Sequence, residues 1–128
     1  MTVPTVLVVD DDDDIRELTK TTLELTADWH VLTASGGNEA IGIARAHPLD
    51  AILLDMMMPD MDGLTTFDHL QADETTRPIP VILFTAKVQV GDRQVWEGRA
   101  IRGAIAKPYD PMRLAEDVAR LLRWTSVG

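Results

Sequence analysis

The stretch that most limits how this chain can fold is Ala51 to Asp55, where the apolar residues Ala51, Ile52, Leu53 and Leu54 run straight into a carboxylate. A continuous apolar run of strand length suits a strand buried on both faces, in the middle of a parallel sheet; a half-exposed strand would alternate. The run belongs to the segment DAILLDMMMPDMDG, Asp50 to Gly63. Its second half, Pro59, Asp60, Met61, Asp62 and Gly63, carries the breakers and side-chain acceptors of a turn. Open α/β sheets hold their ligands in the crevice outside the carboxyl ends of the strands, and Asp55 falls at such an end. Alone, an aspartate after a strand has a plainer role, because many merely cap a turn or a helix.

The same pattern, an apolar run ended by a polar residue, recurs along the chain. Thr5 to Val9 (TVLVV) ends in the aspartates Asp10 to Asp14. Asp12 to Asp14 suit a solvated helix start, with Asp13 or Asp14 as N-cap. Asp10 and Asp11 sit closer to the strand end, where packed like charges need a compensating partner, and a divalent cation is one. A helix follows over Ile15 to Thr26, with Ile15, Leu18, Thr22 and Leu25 as the stripe expected to face a sheet. His30 to Ala34 is a short strand punctuated by Ser35, Gly36, Gly37 and Asn38, and Glu39 to Ala46 is a second helix, which stops at His47 before Pro48. A third helix runs from Leu64 to Ala72, and the polar loop Asp73 to Pro80 leads to the strand Val81 to Thr85. A fourth helix is expected between Val88 and Arg99, although Gly91 and Gly98 each cost about 1 kcal/mol relative to alanine. Gly103 to Ala106 is a short strand ending at Lys107 and Pro108. Asp110 caps the last helix, with Pro111 at its first position and Leu114, Val118, Leu121 and Leu122 as its apolar stripe.

Five strands alternating with five helices imply an α/β fold with a doubly wound parallel sheet, covered on both faces and joined by right-handed crossovers. All strand ends then share one edge, which gathers Asp10, Asp11, Asp55, Thr85 and Lys107. Composition narrows the chemistry. At 128 residues the chain is one domain of ordinary size. Without cysteine it has no disulfide, thiolate nucleophile or cysteine metal site. A formal net charge of −9 argues against direct nucleic-acid binding, which rests on Lys and Arg neutralising phosphates. The first residues lack a basic n-region and a long apolar segment, and no window has the length of a membrane span, so the expected location is the cytoplasm without membrane insertion. His30, His47 and His69 lack metal spacing, while Met56 to Met58, with no cysteine or histidine beside them, suit packing better than soft-metal binding.

Over nearly its whole length the chain resembles the receiver domains of two-component response regulators. The resemblance rests on VVDD (Val8 to Asp11), LLDMMMPDMDG (Leu53 to Gly63), FTA (Phe84 to Ala86) and KP (Lys107 and Pro108), in the family's order and spacing. It implies a flavodoxin-like fold with sheet order 2-1-3-4-5, residues 1–128 forming one receiver domain that stands alone as a response regulator or phosphorelay intermediate. The implied partner is a histidine kinase or histidine phosphotransferase that passes a phosphoryl group to one aspartate. By position, the resemblance makes Asp55 the phosphoacceptor, Asp10 and Asp11 the acidic Mg²⁺ pair, Met57 a ligand through its backbone carbonyl, Thr85 the switch hydroxyl and Lys107 the phosphoryl-binding cation. Ala86 follows the switch residue, and a cis Lys107–Pro108 bond is expected. It also implies that phosphorylation alters, and a dimer can use, the face made of the fourth expected helix, the fifth strand and the last helix. Phosphodonor helices are expected to dock on the first helix, around Ile15, Leu18 and Thr22.

The chain departs from the family pattern at Ala104, where an aromatic commonly rotates behind the switch hydroxyl. Signalling without that ring passes through backbone and helix shifts, or through Tyr109 or Trp96. Met57 and Lys87 stand at two variable positions flanking the phosphoryl site, and an apolar Met57 side chain positions water poorly, which predicts slow autodephosphorylation. Two other classes remain at this stage. Asp10 and Asp12 have the Asp-x-Asp spacing that resembles haloacid dehalogenase phosphohydrolases with Asp10 as nucleophile, although Asp14 stands where that motif usually has Thr or Val. A pseudo-receiver that binds partners without being phosphorylated is the other.

Overall fold

The computed structural model describes residues 3–85 and 101–124. The apolar runs form five strands, β1 (Thr5–Val9), β2 (His30–Ala34), β3 (Ala51–Asp55), β4 (Val81–Thr85) and β5 (Ile101–Ala106). They pair in parallel in the order β2-β1-β3-β4-β5. β3 is central and buried at every residue, lying between Val9, which pairs with Leu54, and Phe84, which pairs with Asp55. Ile52, Leu53 and Leu54 have no exposed surface, and burying each is worth about 2 kcal/mol.

The α-helices are α1 (Asp13–Thr26), α2 (Gly37–Ala46), α3 (Gly63–Ala72) and α4 (Leu114–Leu122), the last preceded by a 3-10 turn at Pro111–Arg113. The expected tally of five helices is therefore corrected: the described residues hold four. The helix expected over Val88–Arg99 lies outside the described residues. Alternation along the strands divides the core into two layers. Val6, Val8, Leu53 and Phe84 face α1 and α4 through Leu23, Leu114 and Val118. Leu7, Val9, Ile52, Leu54 and Leu83 face α2 and α3 through Ile41, Phe67 and Leu70. No helix among the described residues is long and apolar enough to cross a membrane.

Two local expectations change. Asp12, not Asp13 or Asp14, caps α1, its carboxylate accepting the Asp14 and Ile15 amides at 3.0 and 3.1 Å. The buried face of α1 is Thr19, Thr22 and Leu23, while Leu18 and Leu25 are 52% and 80% exposed. Threonine can occupy that face because its hydroxyl finds a partner: the Thr19 hydroxyl donates to the Ile15 carbonyl at 2.7 Å.

Candidate functional site

The parallel pairing brings the ends of β1, β3, β4 and β5 to one edge. Asp10, just past β1, is 2% exposed, and Asp55, the last residue of β3, is 7% exposed. Asp11 beside them is exposed. Each of the three carboxylates offers an oxygen within 4.8 Å of the other two. Lys107 reaches in from the end of β5, its ammonium 2.7 Å from Asp10 Oδ2 and 3.4 Å from Asp55 Oδ2. The other Asp10 oxygen accepts the Asp12 amide at 2.9 Å, and Asp55 Oδ1 accepts the Met57 amide at 3.3 Å. Thr85 closes β4, mostly buried, and its carbonyl accepts the Lys107 amide at 2.8 Å.

Burial sets the electrostatics. It pushes the Asp55 carboxyl above the usual range; Lys107 pulls it back, the Asp10 charge pushes it further up, and the net is upward. Burial alone would lower the Lys107 ammonium, but its hydrogen bond to Asp10 and the charges of Asp55 and Asp10 hold it above its ordinary value. Burial thus opposes the charge on both groups; it prevails at Asp55, while at Lys107 the carboxylates of Asp10 and Asp55 outweigh it.

The donor set fits a hard divalent cation. All three side chains offer carboxylate oxygens, which suit Mg²⁺ and do not suit a soft metal. Oxygens bound to one Mg²⁺ at about 2.1 Å lie about 3.0 Å apart when adjacent and about 4.2 Å when opposite, so the three carboxylates, within 4.8 Å of one another, would draw together to hold the ion.

The structure brings Asp10, Asp11, Asp55, Thr85 and Lys107 together at one edge, as the topology requires. Lys107–Pro108 is cis. Ala104 lies in β5, half-buried against the α2 and α3 side of the core. Met57 presents its side chain to solvent, 74% exposed, beside Asp55. Ala86, Lys87 and Trp96 lie outside the described residues, as does part of the face on which a dimer was expected. Tyr109 is half-buried and stacked on Phe84, with ring centroids 5.2 Å apart, and its hydroxyl meets that of Thr19 on α1. Trp29 and Trp124 pack edge to face at 5.2 Å.

Sequence inspection missed Asp60. Its carboxylate crosses to the start of α2 and accepts the Gly37 and Asn38 amides, both at 3.2 Å. The Asn38 hydrogen bond is the main reason that its carboxyl lies below the usual range. The available signal was a helix opening on Gly36 and Gly37, which bring no capping side chain of their own.

Comparison with known proteins agrees with this geometry. The response regulator receiver domain family matches residues 6–119. Among curated proteins, the chain is 34% identical over 122 residues to the DNA-binding dual master transcriptional regulator RpaA of Synechocystis, covering 95% of this chain and 50% of the relative. It is 40% identical over 124 residues to the response regulator PleD of Caulobacter vibrioides, covering 95% of this chain and 27% of the relative. The chain thus spans half or less of the length of these relatives. Among solved structures, the Vibrio cholerae chemotaxis protein CheY4 superposes with a TM-score of 0.87 at 28% identity, over 94% of this chain and 99% of that one. The receiver domain of the Pseudomonas aeruginosa sensor histidine kinase PA1611, with a magnesium ion coordinated in its active site cleft, superposes with a TM-score of 0.82 at 25% identity, over 95% and 99% of the two chains.

Proposed function

The chain belongs to the response regulator receiver domain family, and from that premise we propose that Asp55 is the carboxylate that takes the phosphoryl group. Receiver domains are phosphoacceptors and do not turn over a separate substrate, and this chain carries the acidic cluster and lysine ion pairs that the role needs. We take residues 1–128 as one such domain, supported by the matched span 6–119.

The donor is a phosphohistidine on a sensor histidine kinase or histidine phosphotransferase. An Asp55 oxygen attacks phosphorus, the N–P bond breaks, and its electron pair stays on the imidazole. Such a transfer asks the protein mainly for position and for positive charge near the phosphoryl oxygens. Asp55 Oδ1 is steadied by the Met57 amide. Lys107 lies close enough to Asp55 for its ammonium to follow the negative charge onto the acyl phosphate. The Thr85 hydroxyl, at the end of the neighbouring strand, is the group we assign to turn toward the new oxygens. Mg²⁺ would be held by Asp10, Asp11, Asp55 and the backbone carbonyl of Met57, and when bound it supplies further positive charge. The PA1611 receiver, with magnesium in its cleft, supports that choice of ion. The exposed Leu18 and half-buried Ile15 on α1, two turns from the acidic cluster at most, suit a docking helix of the donor; Thr22 is turned inward. A phosphoacceptor charged by a kinase belongs in the cytoplasm.

One observation carries the assignment: Lys107 bridges two buried carboxylates from different strands, and a third carboxylate lies within 4.8 Å of both. Asp10 is the weaker candidate nucleophile, since its oxygens are held more tightly, by the Asp12 amide at 2.9 Å and the Lys107 ammonium at 2.7 Å, than those of Asp55, whose corresponding contacts are 3.3 and 3.4 Å. The test is intact mass after incubation with acetyl phosphate, with and without Mg²⁺, on the parent and on Asp55→Asn. A Mg²⁺-dependent phosphoryl adduct absent from Asp55→Asn is expected. An adduct that persists in the variant removes Asp55 from the role.

A further inference from the structure

Met57 would serve the cation through its backbone, yet its exposed side chain gives that backbone little packing to hold it in place. Its position is inherited from anchors on either side. Upstream, the Gly63 amide closes on the Met56 carbonyl at 2.9 Å, and a Cβ at Gly63 would fall 2.7 Å from the Asp55 carbonyl oxygen. Next to Met57, the Met58 side chain is buried in the core. Downstream, Asp62 caps α3 through the Thr65 amide at 2.7 Å, Met61 packs beside Gly37, and the Asp60 carboxylate makes the loop's hydrogen bonds to the start of α2.

That crossing is matched on both sides. The first amides of a helix have no intrahelical acceptor and need one from outside. Gly36, at the N-cap of α2, has no side chain to offer, and Asp60 supplies acceptors for two of these amides from 23 and 22 residues away. The absent side chain at Gly36 is also what lets Asp60 in: a Cβ there would lie 2.8 Å from both carboxylate oxygens. Gly36 is extended, with φ of −170°, so its backbone would accept other residues and the close approach is the constraint.

We propose that Asp60 is a positioning residue of the phosphoacceptor site, tying the loop that carries Met57 to the start of α2 and thereby setting the affinity of the site for Mg²⁺. The proposal rests on the assignment of Asp10, Asp11, Asp55 and Met57 as the cation site. Groups that orient metal ligands from outside typically govern affinity by 10–100-fold. Here the tether acts through one backbone ligand of several, which places the effect near the low end.

The tether and the helix cap can be separated. Asp60→Ala loses both. Adding Gly36→Ser to Asp60→Ala restores a hydroxyl cap to α2, in the space the carboxylate has left, without tying down the loop. The measurement is Mg²⁺ affinity by calorimetric titration, with melting temperatures, on the parent, Asp60→Ala, Asp60→Asn and the double variant. Asp60→Ala should bind Mg²⁺ about tenfold more weakly. Asp60→Asn, which keeps one oxygen acceptor, should fall between it and the parent. The double variant should regain most of the lost melting temperature while its Mg²⁺ affinity stays weak. Acetyl phosphate labelling of Asp60→Ala should be slowed at subsaturating Mg²⁺ and return to the parental rate at saturation. Parental affinity in Asp60→Ala, or affinity that recovers together with melting temperature in the double variant, would reduce Asp60 to a cap and overturn the proposal. A parent that binds no Mg²⁺ would instead overturn the cation-site assignment, and the proposal with it.

Discussion

Asp55→Asn should make the metal-free protein more stable, although it removes a residue with an ion-pair partner. At an effective dielectric constant of about 20, the Asp55 charge gains about 5 kcal/mol from the Lys107 ammonium at 3.4 Å. It loses about 3.5 kcal/mol to the Asp10 carboxylate at up to 4.8 Å, and about half as much to Asp11, which is exposed and better screened. The Coulomb contributions nearly cancel. Desolvation then decides the sign, because Asp55 is 7% exposed and a buried ion costs several kcal/mol that an amide does not. With part of that cost relieved by the rim of the site, the substitution should stabilise by about 2 kcal/mol. In a domain of this size that raises the melting temperature by roughly 5–10 °C.

The amide keeps an oxygen for the Met57 N–H, and its NH2, which replaces the oxygen facing Lys107, has the Asp10 and Asp11 carboxylates nearby as acceptors. The assay is urea and thermal unfolding at pH 7 in chelator-treated buffer, repeated with Mg²⁺. Mg²⁺ stabilises the parent by about 1.4 kcal/mol at ten times its dissociation constant, and Asp55→Asn by less, so the gap should narrow as the cation is added. A variant no more stable than the parent without Mg²⁺ would show that the carboxylate is not held there against its solvation, and the balance above would be wrong. Asp10→Asn is the internal control: its loss includes the Lys107 contact at 2.7 Å, so it should gain much less.

Lys107→Met should destabilise the metal-free fold by about 3 kcal/mol, since it strands two buried carboxylates, and should slow acetyl phosphate labelling; urea unfolding and intact mass read the two effects, and an unchanged labelling rate would take Lys107 out of the phosphoryl site. Met57→Asn should shorten the life of the phosphorylated form by placing a polar group where water can be positioned beside Asp55, and a half-life no shorter than the parent's would count against that role for Met57. Asp73 is held down to about 2 by its hydrogen bonds to Thr75, side chain first and then backbone, with Arg45 adding to them. Because the folded value is depressed from 3.8, its contribution is present above pH 4 and is lost as the pH falls toward 2; Asp73→Asn should lower stability at pH 5 to 7 and flatten the fall below pH 4 in urea titrations.

The sheet was legible because its signal is local and repeated. Each strand is a short apolar run, β3 is continuous because both its faces are covered, and strand-helix alternation leaves few topologies. α1 was less legible. The pattern Ile15, Leu18, Leu25 looks like a buried stripe, but the buried face is Thr19, Thr22 and Leu23; the Thr19 hydroxyl, bonded to the Ile15 carbonyl within the helix, shows how threonine can be buried there. What marks the true face is the environment of the hydroxyls, which no hydrophobicity pattern contains. Leu18 and Leu25 are left on the solvent side, as single apolar residues often are, so the apolar stripe did not identify the buried face.

The site divides along the same line. Asp10, Asp55, Thr85 and Lys107 could be placed from sequence because each needs only its own strand to end where it does; parallel pairing then makes neighbours of residues as far apart as Asp10 and Lys107, 97 positions in sequence. Asp60 could not, because its partner amides belong to another helix and its neighbours Asp62 and Gly63 already account for the local turn and cap. In the sequence Gly36 and Gly37 mark only a loop; in the fold the first of them is the gap into which a carboxylate fits. Topology alone collects the acidic cluster, Thr85 and Lys107 at one edge. Fixing their supporting backbone takes pairings such as Gly36 with Asp60, where the missing side chain on one element is what admits the charged one from the other.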